Sequence, residues 1–243
     1  MQVTRHQNPE LVNPVSKNLA GSKYNSYVNS VINGVLGGYP SYLWGGAVRD
    51  PIVRAIYGYG QNDETRDFDI LVDDSQGGID LRKLLQGLGD IFYTRLGSPK
   101  WRPEDGLEID IVPFSNATIL RNGEQLPISL DTALQSCEFT TSAIAYGLQD
   151  RTVYSCGALE GIDKQEIDLL YPDGEEPHIL MCKVVLQTAR LGFKRGPKAT
   201  RLIEEGYSPD LDTRIKRYME YKGLEAKFEY VVGELMEIKA RSQ

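Results

Sequence analysis

The chain has 243 residues, 41% of them hydrophobic and 25% charged, enough to bury a real core as one large or two small domains. Its net charge of −7 argues against broad, sequence-blind nucleic-acid binding and leaves only local basic patches as RNA contacts. Two histidines argue against a His-rich metal site or a His-based triad. The three cysteines (Cys137, Cys156, Cys182) are odd in number and widely spaced, which makes neither a disulfide framework nor a zinc pattern. Reduced thiols imply a cytoplasmic protein. No apolar run approaches the ~20 residues of a membrane span, and the first residues lack the apolar core of a signal peptide, so no membrane partner is expected.

In chain order, residues 1–21 are polar, contain Pro9 and Pro14, and read as a loose arm. Lys23–Leu36 carries apolar residues at Tyr24, Tyr27, Val28, Val31 and Leu36 and predicts a helix stopped by Gly37-Gly38. Tyr42-Leu43-Trp44 predicts a short strand, and Ala47–Tyr57 a helix with Pro51 in its first turn. Gly58–Glu64 is a polar loop before a strand at Phe68–Val72. A helix at Asp80–Leu88, a strand at Ile91–Arg95 and a strand at Leu107–Val112, ended by Pro113, follow. Ser129 caps a helix through Ser136, and Arg151–Tyr154 is one more strand. From His178 on the pattern is helical, broken at Gly196-Pro197, Tyr207-Ser208-Pro209 and Gly223. The division is an arm over 1–21, an α/β head over 22–160 and a helical region over 161–243.

Chemistry concentrates in two places. Trp44-Gly45-Gly46-Ala47-Val48-Arg49-Asp50 puts a glycine pair between a strand and a helix. There backbone N–H groups approach a phosphate and the helix start favours negative charge. Some twenty residues on, Asp67-Phe68-Asp69 sets two carboxylates on one strand face with Phe68 buried behind them. Adjacent carboxylates repel, and a divalent cation relieves that repulsion. Oxygen-only ligands with room for water and phosphate suit Mg²⁺. The acidic face of Leu107–Val112 supplies Glu108 and Asp110.

The Gly45-Gly46-x-Val48-Arg49-Asp50 run followed by Asp67-x-Asp69 resembles the catalytic head of the class II tRNA nucleotidyltransferases. That family holds the CCA-adding enzymes and bacterial poly(A) polymerases, within the polymerase-β superfamily. A second block, Ser129-Leu130-Asp131 through Glu138-Phe139-Thr140-Thr141-Ser142-Ala143-Ile144-Ala145-Tyr146, is similar to the family's S-L-x-x-D-L-x-R-R-D-F-T-x-N-A-x-A-Y without gaps. A third, Leu180-Met181-Cys182-Lys183 to Ala189-Arg190-Leu191-Gly192-Phe193, resembles its neck helix.

The resemblance implies an α/β head of the polymerase-β type, a short mixed sheet with helices on one side, followed by an α-helical neck. It implies a two-metal Mg²⁺ site and an NTP substrate, with a tRNA-like RNA acceptor. Asp67 and Asp69 become the metal ligands. Asp110 is the third catalytic carboxylate, with Glu108 as runner-up. Gly45, Gly46, Arg49, Asp50, Glu138 and Lys183 become nucleotide contacts; Arg49 faces the phosphates or braces the turn, and Asp50 orients Arg49. The densest basic cluster, Lys194, Arg195, Lys198 and Arg201, is the RNA contact.

Three departures stand beside the matches. Ser136-Cys137 replaces two arginines that would clasp phosphate. Glu176, Pro177 and Leu180 stand where the family reads base edges; Lys183 and Gln187 remain as polar groups on that helix. About fifty residues follow Phe193, short of a full tRNA clamp. An active nucleotidyltransferase is therefore weighed against a non-catalytic nucleotide- or RNA-binding protein of the same fold, and against transfer to a protein or small molecule.

Overall fold

The computed structural model describes residues 2–30, 34–58, 68–93, 99–103 and 107–241. The chain opens with β1 (Thr4–His6), α1 (Pro9–Gly21), α2 (Asn25–Ser30), β2 (Ser41–Trp44), α3 (Gly46–Tyr57) and β3 (Phe68–Val72). It continues through α4 (Leu81–Leu84), β4 (Asp90–Tyr93), β5 (Pro99–Arg102), β6 (Ile109–Pro113), α5 (Thr118–Arg121) and α6 (Leu130–Gln135). Next come β7 (Ile144–Gly147), β8 (Val153–Ser155), α7 (Ala158–Asp163), β9 (Glu166–Ile167), α8 (Pro177–Leu191) and β10 (Lys194–Arg195). The helices α9 (Pro197–Gly206), α10 (Asp212–Tyr221) and α11 (Phe228–Arg241) close the described chain.

Strands β1 to β8 form one mixed sheet in the order β1-β8-β7-β2-β3-β6-β5-β4. Only β3 and β6 run parallel in it; its other pairs are antiparallel. Strand period decides the faces. Phe68, Ile70 and Val72 enter the large core, which also takes Val48, Ile52 and Val53 of α3 and continues through Leu180, Val184, Ile203 and Ile215 to Ile238. Leu71 points the other way, into a smaller cluster with Phe114, Ala133 and Leu134. Phe68 is buried behind the acidic face, as its position between Asp67 and Asp69 requires.

Several elements differ from the sequence expectation. Residues 2–21 carry regular structure rather than a loose arm. Thr4, Arg5 and His6 pair antiparallel with Ser155, Tyr154 and Val153, and α1 packs on α3 with Val15 and Leu19 buried at i, i+4. Asn8 caps α1 by accepting from the Glu10 N–H at 2.9 Å; Pro14 inside the helix hid its periodicity. Pro51 sits past the first turn of α3, where its ring interrupts the hydrogen-bond ladder. The helix expected over Asp80–Leu88 shortens to α4, capped by the Asp80 carboxylate at the Lys83 N–H. Strands β5 and β7 were not anticipated. Of the helix expected over Lys23–Leu36, α2 is present, and Val31 lies outside the described residues.

Candidate active site

Asp69 and Asp110 are register partners across the parallel β3–β6 pair. Partners in register share a sheet face, so the two half-buried carboxylates stand side by side on the face of Leu71 and Val112. The row extends one strand further, because Lys100 of β5 is the register partner of Asp110. Its Nζ lies 3.1 Å from Asp110 Oδ1 and 3.5 Å from Glu108 Oε2. The first contact has ion-pair distance without hydrogen-bond alignment: Asp110 Oδ1 is buried and accepts no hydrogen bond. Arg102 pairs with Glu108, and that hydrogen bond holds the Glu108 carboxyl below its usual range. Glu108 thus meets two cations and Asp110 one. Asp67 lies outside the described residues.

The glycine turn reaches the same end of the sheet. Tyr42 and Leu43 pair with Leu71 and Ile70, so continuing the register sets Trp44 beside Asp69 and the glycine pair just past it. Gly45 takes φ 64° and ψ −131° as the N-cap of α3, a conformation L side chains avoid, and its N–H donates to the Ile144 carbonyl at 2.9 Å. The chain thus turns sharply from β2 into α3, whose first N–H groups have no intrahelical partner. Trp44 Nε1, on the face shared with Asp69, is a buried donor with no hydrogen-bond acceptor among the described residues.

Arg49 is 3% exposed and acts as a brace. Its Nε donates to Asp50 Oδ1 at 2.8 Å, and its Nη1 donates to Gln187 Oε1 at 3.1 Å and Ser142 Oγ at 3.3 Å. Burial pulls the guanidinium down to about 10, so it stays charged at neutral pH. The other Asp50 oxygen pairs with Arg190, itself lowered to about 10 by burial and by Arg49. Asp50 therefore contacts both arginines, one through each oxygen. Gln187 spends its carbonyl on that brace.

Lys183, Gln187 and Arg190 recur at i, i+4 and i+7 on α8, one polar stripe in a helix otherwise committed to the core. Lys183 Nζ reaches Glu138 Oε1 at 2.6 Å and Glu175 Oε2 at 3.2 Å. Burial opposes the Lys183 charge, but the two carboxylates outweigh it and the ammonium ends above its ordinary value. Glu138 and Lys183, both expected at the nucleotide, thus contact each other. Cys137 connects this group to the carboxylate row: burial pushes its thiol up, as do Glu138, Cys156 and Asp69.

The basic cluster sits apart from the row. Lys194 lies 3.4 Å from Glu166, Arg195 3.3 Å from Glu234 and Arg201 3.8 Å from Glu205; Lys198 is exposed on α9. A cavity of about 490 Å³ beside it is lined by Phe193, Arg195, Thr200, Glu204, Tyr230 and Glu234 among others. Its mixed charges do not single out an anion.

Sequence reasoning missed Lys100 and the role of Arg190. A signal for Lys100 was present: Pro99-Lys100-Trp101-Arg102 alternates basic and buried residues, the complement of the acidic alternation in Glu108-Ile109-Asp110. Among the described residues no three His, Cys, Asp or Glu side chains converge as a ready metal cluster.

No family model matches the sequence, and no curated protein matches it. Solved structures do. A CCA-adding enzyme in complex with ATP superposes with a TM-score of 0.59 at 21% identity, over 90% of this chain and 51% of that one. An apo CCA-adding enzyme gives 0.61 at 19%, over 93% and 54%. The Thermotoga maritima CCA-adding enzyme complexed with tRNA gives 0.57 at 18%, over 94% and 56%. At these identities the shared property is the fold. The expected head fold with a helical region after it is present, and the chain spans about half the length of these structures.

Proposed function

We propose that this protein is a Mg²⁺-dependent nucleotidyltransferase that moves a nucleoside monophosphate from an NTP to a hydroxyl, with an RNA 3′ end as acceptor. The observation that carries this reading is the in-register pair Asp69 and Asp110 beside the Gly45-Gly46 turn. It brings two carboxylates next to the free N–H groups of a helix start, the two halves of a site for a metal-bound triphosphate. The all-oxygen donor set fits a hard cation, and Asp110 Oδ1, buried without a hydrogen bond, already faces a cation, the Lys100 ammonium at 3.1 Å. Asp69 and Asp110 would hold it, with Asp67 completing the set. Bound there, Mg²⁺ supplies charge neutralisation at the phosphates and a more acidic attacking hydroxyl.

The chain's own residues do the rest. The α3 start and the Gly45-Gly46 backbone receive phosphate oxygens, Arg49 and Asp50 keep that turn in shape against α8, and the stripe on α8 closes the wall opposite. Residues 161–243 serve as the neck, and Lys194, Arg195, Lys198 and Arg201 as the RNA contact. The solved neighbours carrying ATP, CTP and tRNA support this choice of substrates. Base selection differs from a CTP-then-ATP program, because Leu180 is buried in the core and Pro177 opens α8 with no side-chain hydrogen bond to offer. The buried thiols of Cys137, Cys156 and Cys182, none in a disulfide, suit a reducing cytoplasm. No helix among the described residues is long and apolar enough to cross a membrane.

A second reading, a nucleotide- or RNA-binding protein without catalysis, is favoured by one observation: Ser136 and Cys137 stand where the related family has arginines, and the neighbouring Glu138 is neutralised by Lys183. Incubating the protein with Mg²⁺, each labelled NTP and total RNA separates the two. Transfer of label to RNA, reduced about 10²–10³-fold by Asp69→Asn or Asp110→Asn, establishes the enzyme. Label on protein or a small molecule changes the acceptor. NTP binding without transfer supports the second reading.

A further inference from the structure

Two carboxylates directly opposite on adjacent strands repel, yet Asp69 and Asp110 occupy that arrangement on a half-buried sheet face. The strand after them supplies the compensation. Lys100 stands in the same cross-strand row, 3.1 Å from Asp110 and 3.5 Å from Glu108, while Arg102, one row on, takes Glu108. Lys100 cancels one of the two negative charges that Asp69 and Asp110 bring to the row. A site meant to hold divalent ions by protein charge alone would not place an ammonium against its own ligand.

We propose that Lys100 is a positioning residue of the carboxylate row: a tethered cation that offsets the charge of the Asp69–Asp110 pair and lowers its affinity for a free divalent ion. This rests on the nucleotidyltransferase reading. On that basis the row is held together before any metal arrives, and its affinity for a free divalent ion is low. The ion is retained when the triphosphate adds its own negative charge. Glu108 meets both Lys100 and Arg102, whereas Asp110 meets Lys100 through one oxygen, Oδ1.

The test is Mn²⁺ binding to the full chain, read by electron paramagnetic resonance, for wild type, Lys100→Met, Lys100→Arg and Asp69→Asn. Methionine keeps the length and apolar stem and deletes the charge. Removing a unit charge a few ångströms from a ligand should tighten Mn²⁺ roughly tenfold at the dielectric of a half-buried site. Lys100→Arg should stay near wild type, and Asp69→Asn should lose the ion. A residue with a merely structural role would give the opposite sign, since loosening the row weakens binding. Equal or weaker Mn²⁺ binding by Lys100→Met, with Asp69→Asn still losing the ion, overturns the role of Lys100 and leaves the metal reading standing. Absence of Mn²⁺ binding in all four proteins, with ATP present, overturns both.

Discussion

Asp69 and Asp110 face each other across two parallel strands although β4 and β5 separate them in sequence. Parallel neighbours need a crossover, and here the crossover contributes chemistry of its own, because β5 returns to the sheet on the far side of β6 with Lys100 in the row. The acidic pair is therefore bounded by the glycine turn on one side and an ammonium on the other.

Gly45 and Gly46 should respond differently to alanine. Gly45 holds φ 64° and ψ −131°, so Gly45→Ala should cost about 1–3 kcal/mol. A Cβ on Gly46 would meet Arg49 Nη2 at 3.6 Å and Asp50 Oδ2 at 3.7 Å, ordinary contact distances, so Gly46→Ala should fold nearly as well as wild type. It should weaken NTP binding, since a methyl group intrudes on the phosphate approach. Urea unfolding and ATP titration of both variants check this.

Asp50→Ala should be among the most destabilising single changes at the site. It strips the buried Arg49 and the neighbouring Arg190 of the carboxylate they share. Leaving a buried charge without its partner costs roughly 3–5 kcal/mol, measurable as a drop in the denaturation midpoint. Asp50→Asn, which keeps one acceptor, should fall between. A loss within experimental error of zero would show that Gln187 and Ser142 satisfy Arg49 unaided.

The Lys183 cluster sets an alkaline limit. Its ammonium is raised above the ordinary value by Glu138 and Glu175, so the folded state holds the proton more tightly than the unfolded chain. Its contribution is fully present below the unfolded pKa of about 10.4 and is lost as pH rises through the folded value. The stability gap between wild type and Lys183→Met should stay constant from pH 6 to about 9 and narrow only above about 10.4. Narrowing already between pH 6 and 8 would contradict the assignment.

RNA affinity, where measured, should be modest and salt-dependent. Three of the four basic-cluster residues are already opposite glutamates, and each phosphate contact contributes a log–log salt slope of about −0.9 on a duplex. Changing Lys194, Arg195, Lys198 and Arg201 together to alanine should weaken RNA binding across sequences and spare ATP binding. Unchanged RNA affinity would move the contact elsewhere.

The sequence by itself determined the strand-turn-helix unit around Gly45-Gly46, the strand carrying Asp69 with Phe68 behind it, the acidic face of Glu108 and Asp110, the Ser129 cap and the helical C-terminal part. Each depends on a local rule: side-chain period, glycine freedom or capping chemistry. Only the tertiary structure decided what those groups meet. Lys100 against Asp110, Arg190 against Asp50, Lys183 against Glu138 and β1 against β8 are pairings between distant segments. They depend on strand order and helix docking, which local periodicity does not encode. The same reason explains the N-terminal miss: Val15 and Leu19 form an apolar stripe only once α3 is there to cover it. Charges that read as free ligands in the sequence became partners when the fold brought opposite charges within reach.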